Sequence, residues 1–85
     1  MPTYYLHIHN GLGVTRDEEG AEHDDLEAAR AEALAGIRSI LKEEVGTGRL
    51  DLTGRIEIED ASGRLLLSIP FGDALHLDGQ DRPND

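Results

Sequence analysis

Two histidines that lie two residues apart mark the segment whose side chains are best suited to bind a metal or to react. His7 and His9 occur in the sequence YYLHIHNG, residues 4–11. This spacing directs both imidazoles to the same side of a β-strand, where they would provide two metal ligands. A complete site needs further ligands, for which His23 and Asp17 are the candidates. Because no ligand spacing closes such a site, we expect a structural or interface role for the histidines instead.

The acidic segment 17–27 is the second group that could bind a cation. It contains seven carboxylates. The Asp-x-Asp-x-Asp-Gly pattern of a calcium loop is absent, since Gly20 follows too early and no bidentate Glu lies at the required distance. A solvated turn and the N-terminus of a helix account for most of these residues. As a binding surface, they fit a basic partner protein better than a metal ion.

Catalysis is not expected. Ser68 would neighbour His7 in one strand order, but no glycine-flanked elbow surrounds it and no oxyanion donor can be identified. Glu57 and Glu59 would need a cleft that excludes water, which so short a chain cannot provide. We therefore predict no catalytic residue and no cofactor.

Composition limits both the architecture and the partners. A chain of 85 residues forms one domain with one small core. Its net charge of -10 repels nucleic acid and anionic lipid, and it contains no cysteine for a disulfide. The sequence has no stretch of about 18 apolar residues and no basic signal region, so we expect a cytoplasmic protein without a membrane span.

The N-terminal segment predicts a hairpin. Residues alternate from Thr3 to His9, with Tyr4, Leu6 and Ile8 on one face. The Asn10-Gly11 pair favours a tight turn, and the sequence GVTRDE can return as a second strand.

An amphipathic helix follows in the sequence HDDLEAARAEALAGIRSILKEEVG. Its apolar stripe is predicted to comprise Leu26, Ala29, Ala33, Ile37 and Ile40, widened by Leu34, Leu41 and Val45. Asp24 with Glu27 resembles a capping box, and Asp25 is a rival N-cap. Gly46 is predicted to end the helix.

A second hairpin is predicted in the sequence RIEIEDASGRLLLSIPF. Its turn spans residues 60–63, and Pro70 closes the last strand. Residues 1–75 then form a single domain, and the acidic residues 76–85 are predicted to be a disordered tail.

The fold prediction is therefore α+β, with the element order ββαββ and one long helix on one face of a four-stranded sheet. The strand order 2-1-4-3 is favoured because the sequence LLL matches a central strand, and 2-1-3-4 is the alternative. Strand alternation would place Leu66 on the face away from the helix, beside Tyr5, His7, His9 and Ser68. An apolar centre on that face predicts an interface.

Three segments carry a resemblance to a known family: DEEG (17–20), DLEAARAEAL (25–34) and GRIEIEDASGRLLLSIPF (54–71). Over residues 3–75 the chain resembles the DUF6894 family, which comprises small bacterial domains of unknown function. The resemblance implies the fold and implies no activity, cofactor or catalytic residue.

A weaker likeness is to HicB-type antitoxins, although the chain lacks their extra strand and their basic DNA-binding appendage. We therefore expect a non-enzymatic protein-interaction module, either a homodimer or the binder of an unidentified and basic protein. A metal-binding or antitoxin-like regulator is the alternative.

Overall fold

The computed structural model describes residues 2–11 and 13–75 and shows an α+β fold. The predicted tail, residues 76–85, lies outside the described residues. Within the described part, no helix has both the length and the apolar character needed to cross a membrane. In chain order the elements are β1 (Thr3–Asn10), β2 (Gly13–Thr15), β3 (Ala21–Glu22), α1 (Leu26–Gly46), β4 (Arg55–Glu59), β5 (Leu65–Pro70) and a 3₁₀ turn (Phe71–Ala74).

All strand pairs are antiparallel, and the sheet has the order β2-β1-β4-β5, with β3 also pairing with β1. The third and fourth predicted strands are β4 and β5 of the structure. The favoured order 2-1-4-3 is therefore wrong, and the alternative 2-1-3-4 describes the four main strands. The predicted count of four is also corrected to five. Glu57 and Glu59 of β4 explain the central position of this charged strand, because both carboxylates contact histidines of β1.

The fifth strand arises because the segment that returns from the first turn is interrupted. Thr15 pairs with Ile8, whereas Ala21 pairs with Tyr4. Residues 16–20 therefore lie opposite only three residues of β1, and the two extra residues force the chain out of the sheet. We call residues 16–20 the excursion.

Helix α1 begins after Asp25, one of the two N-caps that the sequence allowed. The Asp25 carboxylate accepts a hydrogen bond from the Ala28 N–H at 2.9 Å, so Asp25 rather than Asp24 is the N-cap. Gly46 is the last helical residue and does not supply the left-handed conformation expected of it. Gly48, with φ of +83°, supplies it two residues later.

The core lies between the helix and the facing side of the sheet. The helix buries one stripe, as the periodicity predicts, although Val45 at its end is exposed. Burial of one large aliphatic side chain stabilises the fold by about 1.5–3 kcal/mol. The buried apolar residues are Tyr4, Ala29, Ala33, Ile37, Leu41, Ile56, Ile58, Ile69, Phe71 and Ala74.

The β4–β5 turn depends on Asp60. Its carboxylate accepts hydrogen bonds from the hydroxyl and N–H of Ser62 and from the N–H of Arg64, at 2.7–3.0 Å. These bonds, led by the Ser62 hydroxyl, lower the pKa of Asp60. Gly63, with φ of +87°, takes the left-handed position that the turn requires.

A bulge in β5 changes the direction of the leucines. Ile58 pairs with Leu67 and Glu59 pairs with Leu65, so Leu66 is the extra residue. Leu66 packs against the core cluster, while Leu65 is 53 % exposed. The exposed apolar side chain that alternation predicts at Leu66 is therefore found at Leu65, because simple alternation does not continue through a bulge.

Candidate functional site

The candidate site is the side of the sheet opposite α1, which we call the open face. Directly paired residues share a face of an antiparallel sheet, so the register arranges the open face in three rows across the strands. The rows are Tyr5–Glu59–Leu65, His7–Glu57–Ser68 and Val14–His9–Arg55–Pro70.

His7 is buried within this face, with 2 % of its surface exposed. Its Nδ1 lies 3.0 Å from the backbone nitrogen of Asp17, and its Nε2 lies 3.2 Å from Oε1 of Glu59. Because a backbone N–H can only donate, Nδ1 must accept and the ring proton resides on Nε2. His7 is therefore a hydrogen-bonded, buried imidazole and not the exposed strand position that the alternation suggested.

Asp17 binds the excursion to β1. One carboxylate oxygen accepts a hydrogen bond from the N–H of Leu6 at 3.1 Å, and the other accepts from the N–H of Glu19 at 3.3 Å and of Gly20 at 3.0 Å. The Asp17 side chain thus provides the acceptor for Leu6 that a continuous neighbouring strand would have provided.

The electrostatic environment of Asp17 combines opposing effects. Partial burial raises the pKa of its carboxyl group, but the N–H donors of Gly20, Leu6 and Glu19 outweigh this effect, and His7 adds to them. The net result is a lowered pKa. Asp17 therefore remains a carboxylate, the form that accepts all three hydrogen bonds.

Gly20 allows the excursion to lie close against the open face. Its φ of +72° is unfavourable for other residues, and a Cβ there would lie 2.8 Å from Cγ2 of Thr3 and 2.9 Å from Cε2 of Tyr5. The Tyr5 and His7 rings are stacked, with centroids 6.5 Å apart. The excursion therefore covers the first part of β1 and accounts for the burial of His7.

A charged network occupies the other end of β1. Glu57 contacts Nε2 of His9 through one oxygen at 3.1 Å and Nε of Arg55 through the other at 3.0 Å. The Arg55 hydrogen bond is the main cause of the lowered pKa of Glu57. The guanidinium also lies 3.5 Å from Nδ1 of His9. The central charges of the open face are therefore already paired within the molecule.

The three candidate metal ligands do not converge. His7 and His9 have both ring nitrogens within hydrogen-bond distance of protein groups. His23 lies near the core residue Tyr4, with ring centroids 6.0 Å apart, and its buried Nε2 has no hydrogen-bond partner in residues 2–11 and 13–75. In those ranges no group of three or more His, Asp or Glu side chains is arranged to hold a metal ion.

The predicted interface residues are distributed unevenly. Tyr5 and His9 are partly buried, His7 is buried and Ser68 is exposed. Ser68 pairs with Glu57 across β4, so it does not neighbour His7 as the favoured strand order implied. Leu66 is partly buried against the core cluster, and the exposed leucine in the row of Tyr5 and Glu59 is Leu65.

Val14 and Leu65 are open-face residues that the sequence interpretation missed. Each is 53 % exposed, at opposite sides of the face. Val14 could have been found from the alternation of the returning strand. The position of Leu65 depends on the bulge, for which the sequence LLL gives no signal.

Comparison with known proteins places the chain in a family without assigning an activity. The model of the DUF6894 family, a domain of unknown function, matches residues 3–72. No curated protein and no solved structure matches the chain. The matched segment contains every described strand, the helix and the excursion that buries His7. The chain therefore belongs to the DUF6894 family.

Proposed function

We propose that this domain is a non-enzymatic protein-interaction module that self-associates through the open face. The observation that carries the proposal is the half-exposed Leu65 on a face whose neighbouring carboxylates have partners. Leu65 lies in the same row as Tyr5 and Glu59, and Val14 provides a second exposed apolar side chain. Apolar surface of this kind gains free energy when a partner excludes water from it.

Charge also supports the open face as the site of contact. The chain carries a net charge of -10, so two copies repel each other over most of their surfaces. On the open face, Arg55 balances the charge of Glu57, and among these residues only the charge of Glu59, which contacts Nε2 of His7, is left over. A two-fold contact needs only one self-complementary patch, and it would cover the face of the sheet opposite α1.

The same reasoning includes a protein partner other than a second copy, and the acidity of the chain predicts that such a partner is basic. The proposed compartment is the cytoplasm, which fits a fold without cysteine. Neither metal binding nor an antitoxin-like role is favoured by a contact in the described part of the chain, so we advance the interaction module alone.

The test is Leu65→Glu, measured by sedimentation equilibrium over a range of protein concentrations. We expect self-association to weaken by roughly tenfold, about 1.4 kcal/mol, because a charge replaces the apolar side chain at the contact. Leu50→Glu is the matched control, since Leu50 is also about half exposed but lies in the segment between α1 and β4. Equal behaviour of the two variants, or a monomeric wild-type protein at every concentration, would contradict the proposal.

A further inference from the structure

Strand β5 forms one edge of the sheet, and β4 is its only neighbour among the described strands. The N–H of Phe71 donates to the carbonyl of Gly54 at 2.9 Å, so the backbone of Phe71 faces the β4 side. Successive residues of a strand direct their N–H and C=O groups to alternate sides. The backbone groups of Pro70 and Ser68 are therefore directed away from β4, and Ser68 presents both a donor and an acceptor at the free edge.

The ends of β5 carry opposite charges. The strand itself has the uncharged sequence LLLSIP, which is flanked by Arg64 and followed by Asp73 in the 3₁₀ turn. Both flanking residues are exposed, and among the described residues neither side chain forms an ion pair or a hydrogen bond, although the Arg64 charge also attracts the Asp60 carboxylate. Antiparallel pairing of two such strands would bring Arg64 of each copy towards Asp73 of the other, whereas parallel pairing would bring like charges together.

We propose that β5 pairs with β5 of a second copy, antiparallel across a two-fold axis at Ser68. The Ser68 N–H of each copy then donates to the Ser68 carbonyl of the other. The uncharged edge is where two copies of a chain with a net charge of -10 approach with little local repulsion. This contact goes beyond the open-face contact and does not depend on it, because edge pairing extends the sheet and leaves both of its faces accessible.

The structure also limits the contact to a closed pair. Pro70 has no N–H to donate, and the bulge at Leu66 disturbs the edge at the other end, so only a short central segment can pair. The opposite edge consists of the short strands β2 and β3, which have a different register and sequence. Two-fold pairing occupies the free β5 edge of both copies, so it cannot propagate into a fibre.

Ser68→Cys in the full chain tests the geometry directly. The protein has no cysteine, so the new thiol is unique. At a hydrogen-bonded antiparallel pair the two Cα atoms lie about 5.5 Å apart, which is within the range that a disulfide bridges. We expect rapid covalent dimer formation under mild oxidation. Ser62→Cys, in the exposed β4–β5 turn, is the control and should cross-link at least tenfold more slowly.

A backbone variant separates edge pairing from the open-face contact. Ser68→Pro removes the outward N–H, and Ser68→Val retains it with a side chain suited to a strand. We expect Ser68→Pro to weaken association at least tenfold relative to Ser68→Val. Equal cross-linking by Ser68→Cys and Ser62→Cys would overturn edge pairing. If Ser68→Cys cross-links rapidly while Leu65→Glu leaves self-association unchanged, edge pairing is supported and the open-face contact is contradicted.

Discussion

Asp17 and His7 show how a pair that resembles a metal site can serve to hold a loop. The Asp17 N–H donates to His7, and the Asp17 carboxylate accepts from three backbone N–H groups, one of them that of Leu6. Both the backbone and the side chain of Asp17 therefore bind the excursion to β1. Each of these groups would need another partner if Asp17 were removed. The DEEG segment therefore has a structural explanation, with Asp17 as the acceptor and Gly20 as the residue that allows the close approach.

Replacement of Asp17 by Ala should destabilise the fold. We expect the free energy of unfolding to fall by about 1–3 kcal/mol, because the partly buried N–H groups of Leu6 and Gly20 lose their acceptor. Urea denaturation followed by circular dichroism measures the change. Glu18→Ala is the control, since Glu18 is exposed and the change should be within about 0.5 kcal/mol. A fall of equal size in both variants would show that Asp17 has no special role.

The lowered pKa of Asp17 also predicts a pH dependence. Its contribution to stability is fully present above the ordinary value of 3.8 and is lost as the pH falls through the lower value of the folded state. The wild-type protein should therefore lose more stability than Asp17→Asn on acidification through this range. Thermal unfolding at a series of acidic pH values tests this, and parallel curves for the two proteins would rule out the assigned role.

At the scale of single residues, the sequence supported the choice of His7 and Asp17 but not their roles. The two residues lie ten positions apart, and only the excursion brings them together. The excursion exists because the registers of β2 and β3 differ by two residues, and no local pattern encodes that difference. The interpretation as an exposed strand position failed for His7 for this reason, whereas His9 remains partly exposed on the open face.

At the scale of elements, the helix was the most predictable part of the chain. Its stripe from Ala29 to Leu41 follows directly from the 3.6-residue period. The order of the strands was not predictable in the same way, since the charged pattern of β4 suits an edge as well as a centre that binds histidines. The bulge at Leu66 exchanged the exposure expected of Leu65 and Leu66, because it adds a residue that the alternation cannot reveal.

Two glycines of different environment provide a paired prediction for the elements. Gly36→Ala should stabilise α1 by about 0.5–1 kcal/mol, because no atom other than the adjacent residues and backbone of the helix itself lies within 4 Å of a new Cβ, and alanine favours a helix. Gly54→Ala should destabilise the protein by about 1–3 kcal/mol, since its Cβ would lie 2.7 Å from the His9 carbonyl oxygen and from Cε2 of Phe71. Urea denaturation of both variants measures these opposite shifts, and a shift of the same sign in both would contradict the packing described around Phe71.

At the scale of the whole molecule, the domain has two layers, with one helix on a sheet whose other face is only partly covered. The excursion protects Tyr5 and His7, and the remainder of that face presents Leu65, Val14 and paired charges. Self-association is our explanation for this surface. Composition alone indicated one small acidic domain, whereas the proposed location of the contact depends on the register of all the main strands.

The net charge predicts how salt affects association. Two copies with a net charge of -10 each repel one another, and the Debye length falls from about 30 Å at 0.01 M salt to about 8 Å at 0.15 M. The dissociation constant should therefore decrease as salt is added over this range. Sedimentation equilibrium at both salt concentrations is the measurement. An increase in the dissociation constant would show that attraction between opposite charges of the two copies, rather than repulsion between their net charges, determines the effect of salt.

The central claim is that copies of this domain meet through the open face, and dilution followed by NMR tests it most directly. Backbone amide shifts should change with protein concentration for Tyr5, His9 and Leu65. They should stay constant for Glu32 and Lys42, which are exposed on the helix. Shifts that do not depend on concentration anywhere, or that change on the helix while the open face stays constant, would contradict the account.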